Sequence, residues 1–204
     1  MKNWYVLHCA HGREKSVRDK LNKRFEGEAF NAFVPAKEKW FLGVDSTQKK
    51  VKKLEQVLLF SSYVFIDTDW NGRELLCNLK DFLANSNDAY RILSYGKTTG
   101  SESDSPEAIE RIKSSMTMRK AERANWEWLL GGRELVENSI GTIDIGNQIH
   151  IESGPLKGQE GRIVRLDRHK RKAEIVLDII GGGVQVTVPV EITSKVIIVG
   201  EIDV

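Results

Sequence analysis

Hydrophobic residues in the first half of the chain recur at spacings that predict alternating strands and helices. The continuous apolar run from Trp4 to Cys9, rich in β-branched and aromatic residues, predicts a buried strand. Val17, Leu21 and Phe25 follow at four-residue spacing and predict an amphipathic helix, which ends near Gly27. The sequence therefore begins with a strand followed by a helix.

A second helix is predicted between two further strands. Strand character fills residues 57–70 and returns at residues 89–96. Between them, Leu75, Leu76, Leu79 and Leu83 are predicted to lie on one helical stripe. Asn71 is the expected N-terminal cap because its short side chain can accept hydrogen bonds from the first helical N–H groups. This pattern predicts a strand, a helix and a strand in succession.

Strand character also fills residues 29–43. This strand and the one at residues 57–70 are separated by a polar and basic segment, residues 44–56, which is expected to be a hairpin tip. The resulting order of strand, helix, strand, strand, helix and strand predicts an α+β fold of the ferredoxin-like kind, in which helices back an antiparallel sheet. Pro106 is expected to begin one more helix, since proline is favoured at the first helical position.

The last third of the chain has a different character. From Ile140 onward helical periodicity disappears, and five short strands are predicted between Gly, Pro and charged turns, at residues 144–152, 160–167, 172–180, 184–192 and 194–199. So many short strands in so short a chain predict a small closed β barrel. Before it, Trp126, Leu129 and Leu130 share one face of a charged, helix-prone segment. That face is expected to pack on the first domain, and a partner-binding face is the alternative. The predicted parts are an α+β domain, a connector and an all-β domain, at residues 1–115, 116–139 and 140–204.

Composition narrows the class of protein. Hydrophobic residues make up 40% of the chain and charged residues 29%, as in ordinary soluble globular proteins. The net charge of +2 is close to neutral, so affinity for a polyanion must come from local clustering. No apolar run is long enough for a membrane span, and the first residues do not resemble a signal peptide. We therefore expect a cytoplasmic monomer without a membrane partner.

Motifs for catalysis or cofactor binding are weak. The glycine-rich stretch from Gly154 to Gly161 lacks the Lys-Ser/Thr of a phosphate-binding loop and leads into a strand, so its glycines are expected to shape turns. His8 and Cys9 point to opposite faces of a strand, and Cys77 lies far from both. We expect reduced cysteines, no metal, no cofactor and no enzymatic activity.

Positive charge is concentrated in one predicted hairpin of the all-β domain. The cluster contains seven Lys or Arg residues and one histidine: Lys157, Arg162, Arg165, Arg168, His169, Lys170, Arg171 and Lys172. Nearby acidic residues are only Glu160 and Asp167. A solvated surface is one interpretation. The other is a contact with structured RNA, since arginine pairs with phosphates and guanine edges, and folded RNA presents phosphates and unpaired loop bases.

Several stretches resemble, in the same order, the NusG family of transcription elongation factors. They include the opening Trp4-Tyr5-Val6, the run "FSSYVF" at residues 60–65, and a KOW-like pattern at residues 144–167 in which Gly146-Asn147 stand for Gly-Asp. The resemblance implies an N-terminal NGN domain that binds the clamp helices of RNA polymerase and a C-terminal KOW barrel that binds other ligands. It places the polymerase-binding aromatic residues at Tyr5, Trp40, Phe60, Tyr63 and Phe65, for which plain sheet core is the alternative.

Two departures from the family pattern refine this hypothesis. Ser61-Ser62 stand where the family has Pro-Gly, and Ile180 stands where housekeeping members have a phenylalanine that helps to bind Rho or a ribosomal protein. The long segment that contains "VQVTV" at residues 184–188, together with "LDRHKR" at residues 166–171, resembles the specialised paralogues of the LoaP group, which are processive antiterminators that recognise a leader RNA.

We therefore predict an operon-specific antitermination factor that binds RNA polymerase through the NGN domain and a nascent RNA hairpin through the KOW domain. The alternatives are a housekeeping elongation factor whose KOW domain binds Rho or a ribosomal protein, and a ribosome-associated KOW protein. Contact with non-template DNA is left open.

Overall fold

The computed structural model describes residues 2–44, 50–95, 114–132, 134–144 and 146–195. The helices whose bounds it gives are α1 (Glu14–Arg24), α2 (Gly72–Asn85) and α3 (Lys120–Leu130). The strands of the first half are β1 (Asn3–Cys9), β2 (Phe30–Phe33), β3 (Ala36–Val44), β4 (Lys50–Leu58), β5 (Tyr63–Thr68) and β6 (Ala89–Ile92). Those of the second half are β7 (Leu135–Val136), β8 (Ser139–Ile143), β9 (Ile149–Ser153), β10 (Ile163–Asp167), β11 (Lys172–Ile179) and β12 (Gly182–Lys195). The helix predicted to begin at Pro106 lies outside the described residues.

The contacts between residues divide the chain into two compact units. The first consists of Met1–Pro35, Phe60–Trp126 and Leu177–Val184. The second consists of Ala36–Leu59, Glu127–Val176 and Gln185–Val204. The turn between β11 and β12 thus belongs to the first unit, and the hairpin β3–β4 belongs to the second. The domain limits predicted after residues 115 and 139 rest on sequence character and stay predictions.

The first unit contains a four-stranded antiparallel sheet in the order β2-β5-β1-β6. The chain order β1-α1-β2-β5-α2-β6 matches the predicted α+β pattern, with the β3–β4 hairpin inserted after β2. The predicted hairpin tip at residues 44–56 was wrong in extent, because residues 50–56 belong to β4. Consecutive residues 4–7 of β1 and 64–66 of β5 are all buried. Because successive side chains of a strand point to opposite faces, both faces of these central strands are covered.

The predicted N-terminal cap of α2 is confirmed. The side chain of Asn71 accepts hydrogen bonds from the backbone N–H groups of Arg73 and Glu74, at 3.0 and 3.1 Å. The Glu74 carboxylate in turn accepts the N–H of Asn71 at 2.8 Å, which completes a capping box. The helix buries Leu75 and Leu79 as predicted, whereas Leu76 and Leu83, predicted on the same stripe, are half-buried.

The second unit contains the antiparallel β3–β4 hairpin, to which β7 adds in parallel beside β3. A five-stranded sheet follows in the order β10-β11-β12-β8-β9, in which β12 and β8 are parallel. Four of its strands coincide with predicted strands, whereas β8 was not predicted. The fifth predicted strand, residues 194–199, lies mostly outside the described residues. The end strands in this order are β10 and β9, and closure into a barrel stays a prediction.

Across the described ranges, no helix has both the length and the apolar character that crossing a membrane would require.

Candidate nucleic-acid interface and aromatic surface

The basic residues meet at the turn between β10 and β11, which we call the basic turn (residues 168–171). The Arg171 N–H donates to the carbonyl of Arg168 at 3.3 Å, and the φ angle of Arg171 is +50°. The carboxylate of Asp167 accepts the N–H of Lys170 at 2.9 Å. This hydrogen bond, aided by the charges of nearby basic side chains, holds the pKa of Asp167 below its usual value. Asp167 therefore organises the turn as a carboxylate.

The basic turn presents several basic side chains to solvent. Arg168, His169 and Lys170 are exposed at its tip, and Arg165 is exposed on the preceding strand. Arg171 is also exposed, but it forms an ion pair with Glu191 at 3.1 Å. Three basic residues of the turn therefore point into solvent, and the fourth, Arg171, forms an ion pair that stabilises the turn.

The remaining predicted RNA-binding residues have other surroundings. Lys172 is half-buried and forms an ion pair with Glu174 at 3.3 Å. Arg162 lies over the ring of Trp128 at 5.2 Å, at the far end of β10 and about 20 Å along the strand from the basic turn. Lys157 is exposed in the loop before it. The structure thus brings Arg168 to Lys172 together and separates Arg162 and Lys157 from them.

A cavity of about 780 Å³ lies beside the basic turn, within the second unit. We call it the basic cavity. Its lining includes Lys37 and Lys39 of β3, the turn residues 169–171, and Lys172 of β11. Lys37 and Lys39 are two residues apart and therefore point to the same side of their strand. Sequence reasoning missed them, although their spacing in "AKEK" was the signal that could have indicated a basic face.

Lys37 is a half-buried lysine of the basic cavity. Its Nζ donates to the carbonyl oxygen of Thr187 at 2.6 Å. Burial, together with the charges of Lys39 and Lys172, lowers the pKa of Lys37 to about 8. At neutral pH this side chain still carries its positive charge, and it does so in partly desolvated surroundings.

The glycine-rich loop at residues 154–161 does not offer its backbone to an anion. The N–H groups of four consecutive residues, 156–159, all donate to protein oxygens at 3.0–3.3 Å. Gly154 has a φ of +91°, and a Cβ there would lie 2.6 Å from both the Asn138 carbonyl oxygen and the Ser139 Cα. Gly154 therefore permits a close chain crossing, in keeping with a structural role for this loop.

Three of the aromatic residues assigned to polymerase binding lie together in the first unit. The Phe60 ring is 5.8 Å from that of Tyr63 and 5.9 Å from that of Phe65. Phe65 is fully buried, whereas Phe60 and Tyr63 are half-buried. Trp126 of α3 covers this face, with its ring 5.4 Å from Phe60 and 5.1 Å from Phe65. Only part of the predicted set is therefore accessible.

The other two members of that set lie elsewhere. Tyr5 is fully buried and points to the face opposite its neighbour Trp4, which contacts Phe65. Its hydroxyl donates to the Trp70 carbonyl at 2.9 Å. Trp40 belongs to β3, and its side chain lies outside what the structure describes.

Two aromatic residues that the sequence did not indicate extend the accessible part. His8 pairs with Tyr63 across β1 and β5, with their rings 5.6 Å apart. Tyr90 lies 5.3 Å from His8 and is 52% exposed. We call His8, Phe60, Tyr63 and Tyr90 the aromatic surface. Strand register, which the sequence alone does not give, is what joins them.

Ile180, at the turn between β11 and β12, is only 8% exposed and has a φ of +48°. A β-branched residue seldom adopts this conformation. The next residue, Gly181, donates its N–H to the Glu122 carboxylate at 2.9 Å. Glu122 also bonds the Tyr95 hydroxyl, and burial followed by this hydrogen bond raises the pKa of Tyr95 to about 12. The turn is thus held by α3, with Ile180 covered.

The sequence of this chain is similar to a known family model and to several named proteins. The family model described as "Transcription termination factor nusG" matches residues 2–113. Proteins named "Transcription termination/antitermination protein NusG" from Staphylococcus epidermidis and Staphylococcus carnosus are 23% and 22% identical to this chain over 186 residues, which covers 88% of each chain. The structure titled "Domain interaction in Thermotoga maritima NusG" is similar with a TM-score of 0.44 and 16% identity, and covers 93% of this chain and 94% of its own.

Proposed function

Because this chain belongs to the NusG family, we propose that it is a specialised antitermination factor, similar to the LoaP group. It binds elongating RNA polymerase through the aromatic surface of its N-terminal part. It binds a hairpin in the nascent RNA through the basic turn, and this second contact selects the transcript. Linking the two contacts raises the effective concentration of each and strengthens binding by about 10²–10⁴-fold when both are engaged.

The observation that carries this proposal is the basic turn. A two-stranded hairpin ends in three adjacent exposed basic residues, Arg168, His169 and Lys170, with Arg165 close by. The Asp167 carboxylate, the nearest negative group in sequence, is engaged by a backbone N–H of the turn. Arginine and lysine on a compact tip suit a folded RNA, whose phosphates and unpaired loop bases are accessible.

The aromatic surface supports the polymerase contact. Tyrosine and other aromatic side chains are enriched at protein interfaces, where they combine large apolar area with a polar edge. Tyr63 and Tyr90 have this character, and both are accessible from outside. Phe65 and Tyr5 are buried, so they stabilise the sheet that carries the aromatic surface and are not part of the accessible surface.

The alternative is a housekeeping factor whose Ile180 region binds Rho or a ribosomal protein. In this structure Ile180 is covered, and the turn that carries it is tied to Glu122. That arrangement favours the RNA-binding proposal. Recovery of a termination factor or a ribosomal protein by the full chain, lost in an Ile180→Asp variant, would instead support the housekeeping function.

The proposal can be tested with the full chain and a pool of labelled RNA hairpins with randomised loops. We expect selective binding to a subset of hairpins over single strands of the same composition. Arg168→Glu combined with Lys170→Glu should lower the affinity at least about tenfold, and the affinity should fall steeply with salt. Arg171 is left unchanged because its ion pair with Glu191 supports the turn.

A matched control is Lys15→Glu combined with Lys23→Glu, which changes the net charge equally on the exposed side of α1. Readthrough of a terminator is then measured on templates with and without a selected hairpin in the leader. Antitermination that requires the hairpin and the basic turn would support the proposal. Equal readthrough on both templates would contradict selection by RNA.

A further inference from the structure

The basic cavity has a strong excess of positive charge. Five lysine or arginine side chains and two glutamates line it, which gives a net charge of +3 with histidine neutral. One of the glutamates, Glu191, already pairs with Arg171 at 3.1 Å. The whole chain has a net charge of only +2, so this cavity is a local concentration of positive potential.

Lys37 carries a charge at the wall of the cavity, and its nearest described partner is not an acidic group. Its described partner is the neutral carbonyl of Thr187, and among the residues that the structure describes it forms no ion pair. Placing a charged lysine in partly desolvated surroundings beside two other lysines is unfavourable unless an anion compensates it. The cavity therefore has the electrostatic character of a site for an anion.

The size of the cavity indicates the class of ligand. A volume of about 780 Å³ lies within the range of small-molecule and nucleotide pockets. Lysine binds phosphate as a compact point charge with three donors, so Lys37 can retain its hydrogen bond to Thr187 and donate to a second oxygen. The residues of the basic turn that line the cavity connect it directly to the exposed tip.

We propose that the basic cavity binds a phosphate of the RNA backbone, with its sugar, and that Lys37 is the phosphate ligand at its inner wall. This inference rests on the proposed RNA-binding function. It assigns separate parts of RNA binding to the basic cavity and to the exposed tip of the basic turn. The cavity fixes the position of the RNA strand, because phosphate contacts carry no sequence information. The exposed tip, with Arg168 outside the cavity lining, contacts the loop bases.

The test uses the full chain and the same pool of RNA hairpins, with DNA hairpins of equal sequence as a second arm. Lys37→Gln removes the positive charge but keeps a donor for the Thr187 carbonyl. We expect about tenfold weaker binding and a salt dependence reduced by about one unit of log K against log salt, uniformly across loop sequences. Lys23→Gln on the exposed side of α1 is the matched control and should change neither quantity.

A fold check accompanies the variant. Removing a partly buried charge that forms no ion pair within the described ranges should leave the unfolding temperature unchanged or raise it. Weaker binding at an unchanged unfolding temperature therefore supports the proposal. An Arg165→Gln and Arg168→Gln double variant, called the tip variant, serves as the comparison, because both residues are exposed and lie outside the cavity lining.

The outcomes separate the two proposals. If the native chain binds no hairpin, both are contradicted. If the tip variant weakens binding while Lys37→Gln retains the native affinity and salt dependence, the phosphate site is wrong and the RNA-binding function stands. If Lys37→Gln weakens binding only to hairpins with particular loop sequences, Lys37 contacts a base, and the phosphate assignment is overturned. Equal binding of DNA hairpins would overturn the assignment of the ligand as RNA.

Discussion

Trp126 and Phe65 pack against each other with their ring centres 5.1 Å apart, and both side chains are fully buried. The indole N–H of Trp126 also donates to the backbone carbonyl of Asp178 at 2.9 Å. A single side chain of α3 therefore covers the central sheet of the first unit and holds the end of β11. Trp126 was expected to pack on the first domain, and the structure shows the partner residues of that packing.

Trp126 should stabilise the protein through two contributions, packing and a hydrogen bond, which two different substitutions can separate. Trp126→Ala removes a large buried side chain and is expected to cost about 3–5 kcal/mol. Trp126→Phe keeps most of the packing but leaves the Asp178 carbonyl without its indole donor, which is expected to cost about 1–3 kcal/mol. Urea unfolding followed by circular dichroism measures both changes.

The matched control is Trp128→Phe, because Trp128 is half-buried and contacts Arg162 near the surface. The urea midpoint of the Trp128→Phe variant should remain close to that of the native chain. A Trp126→Phe midpoint equal to that of the native protein would show that the hydrogen bond to Asp178 contributes nothing measurable.

Local sequence signals predicted those elements whose cause is local. The cap of α2 could be identified from Asn71 because the capping interaction spans only three residues. Buried positions in β1 and α1 followed from apolar runs and four-residue spacing. The turn at residues 168–171 followed from a run of charged residues between two apolar stretches. Each of these signals is contained within a few consecutive residues.

The strand β8 shows why other elements were missed. Its inward positions are Ser139, Gly141 and Ile143, and only the last is a large apolar residue. A Cβ at Gly141 would lie 2.4 Å from the carbonyl oxygen of His150, so small residues are needed for the close approach of β9. Close backbone packing therefore removes the alternating apolar signal by which a strand is recognised.

The basic cavity could not be predicted for a different reason. Lys37 and Thr187 are 150 positions apart in sequence, and their contact depends on the folding of the whole second unit. The aromatic surface likewise depends on the register that places His8 opposite Tyr63. Long-range pairing of this kind leaves no local periodicity in a single sequence.

Two glycines of the same loop should differ sharply in their tolerance of a side chain. Gly154→Ala is expected to cost at least about 2 kcal/mol, because its φ of +91° is unfavourable for alanine and the new Cβ would meet backbone atoms at 2.6 Å. Gly161→Ala should change the stability by no more than about 0.5 kcal/mol, since its Cβ would enter open space. Thermal unfolding of the two variants makes the comparison. Similar losses in both would show that the close crossing at Gly154 is not what requires glycine.

The aromatic surface should contribute to polymerase binding through its exposed member. Tyr90→Ala is expected to weaken binding to RNA polymerase by about 5–30-fold, the range for an interface tyrosine, with little effect on stability because the side chain is 52% exposed. Surface plasmon resonance with immobilised polymerase measures the change.

Tyr5→Phe serves as its control, because it alters only a hydroxyl on the opposite face of the sheet. That variant should bind polymerase like the native chain. Native affinity in Tyr90→Ala would remove Tyr90 from the interface, and a further test of Tyr63→Ala would decide whether the aromatic surface is used at all.

The dependence of RNA binding on pH should identify Lys37 independently of mutation at the tip. Its free-state pKa of about 8 is lowered by burial and by Lys39 and Lys172, and a bound phosphate raises it again by favouring the charged form. Below pH 8 the lysine is already protonated before binding, so the favourable contact is fully present. As pH rises above 8, binding must first add a proton to Lys37, and the affinity of the native chain should fall.

Other groups around the cavity set the background for this measurement. The charged and titratable groups of its lining, on β3, the basic turn, β11 and β12, are Lys37, Glu38, Lys39, His169, Lys170, Arg171, Lys172 and Glu191. Comparing the native chain with Lys37→Gln between pH 7.5 and 9.5 isolates the contribution of Lys37, because all the other groups are shared. We expect the affinity of the native chain to decline across this range and approach that of the variant, which itself stays nearly constant. Parallel pH profiles for the two proteins would mean that Lys37 does not contact the RNA phosphate, because its change of charge would then leave binding unaffected.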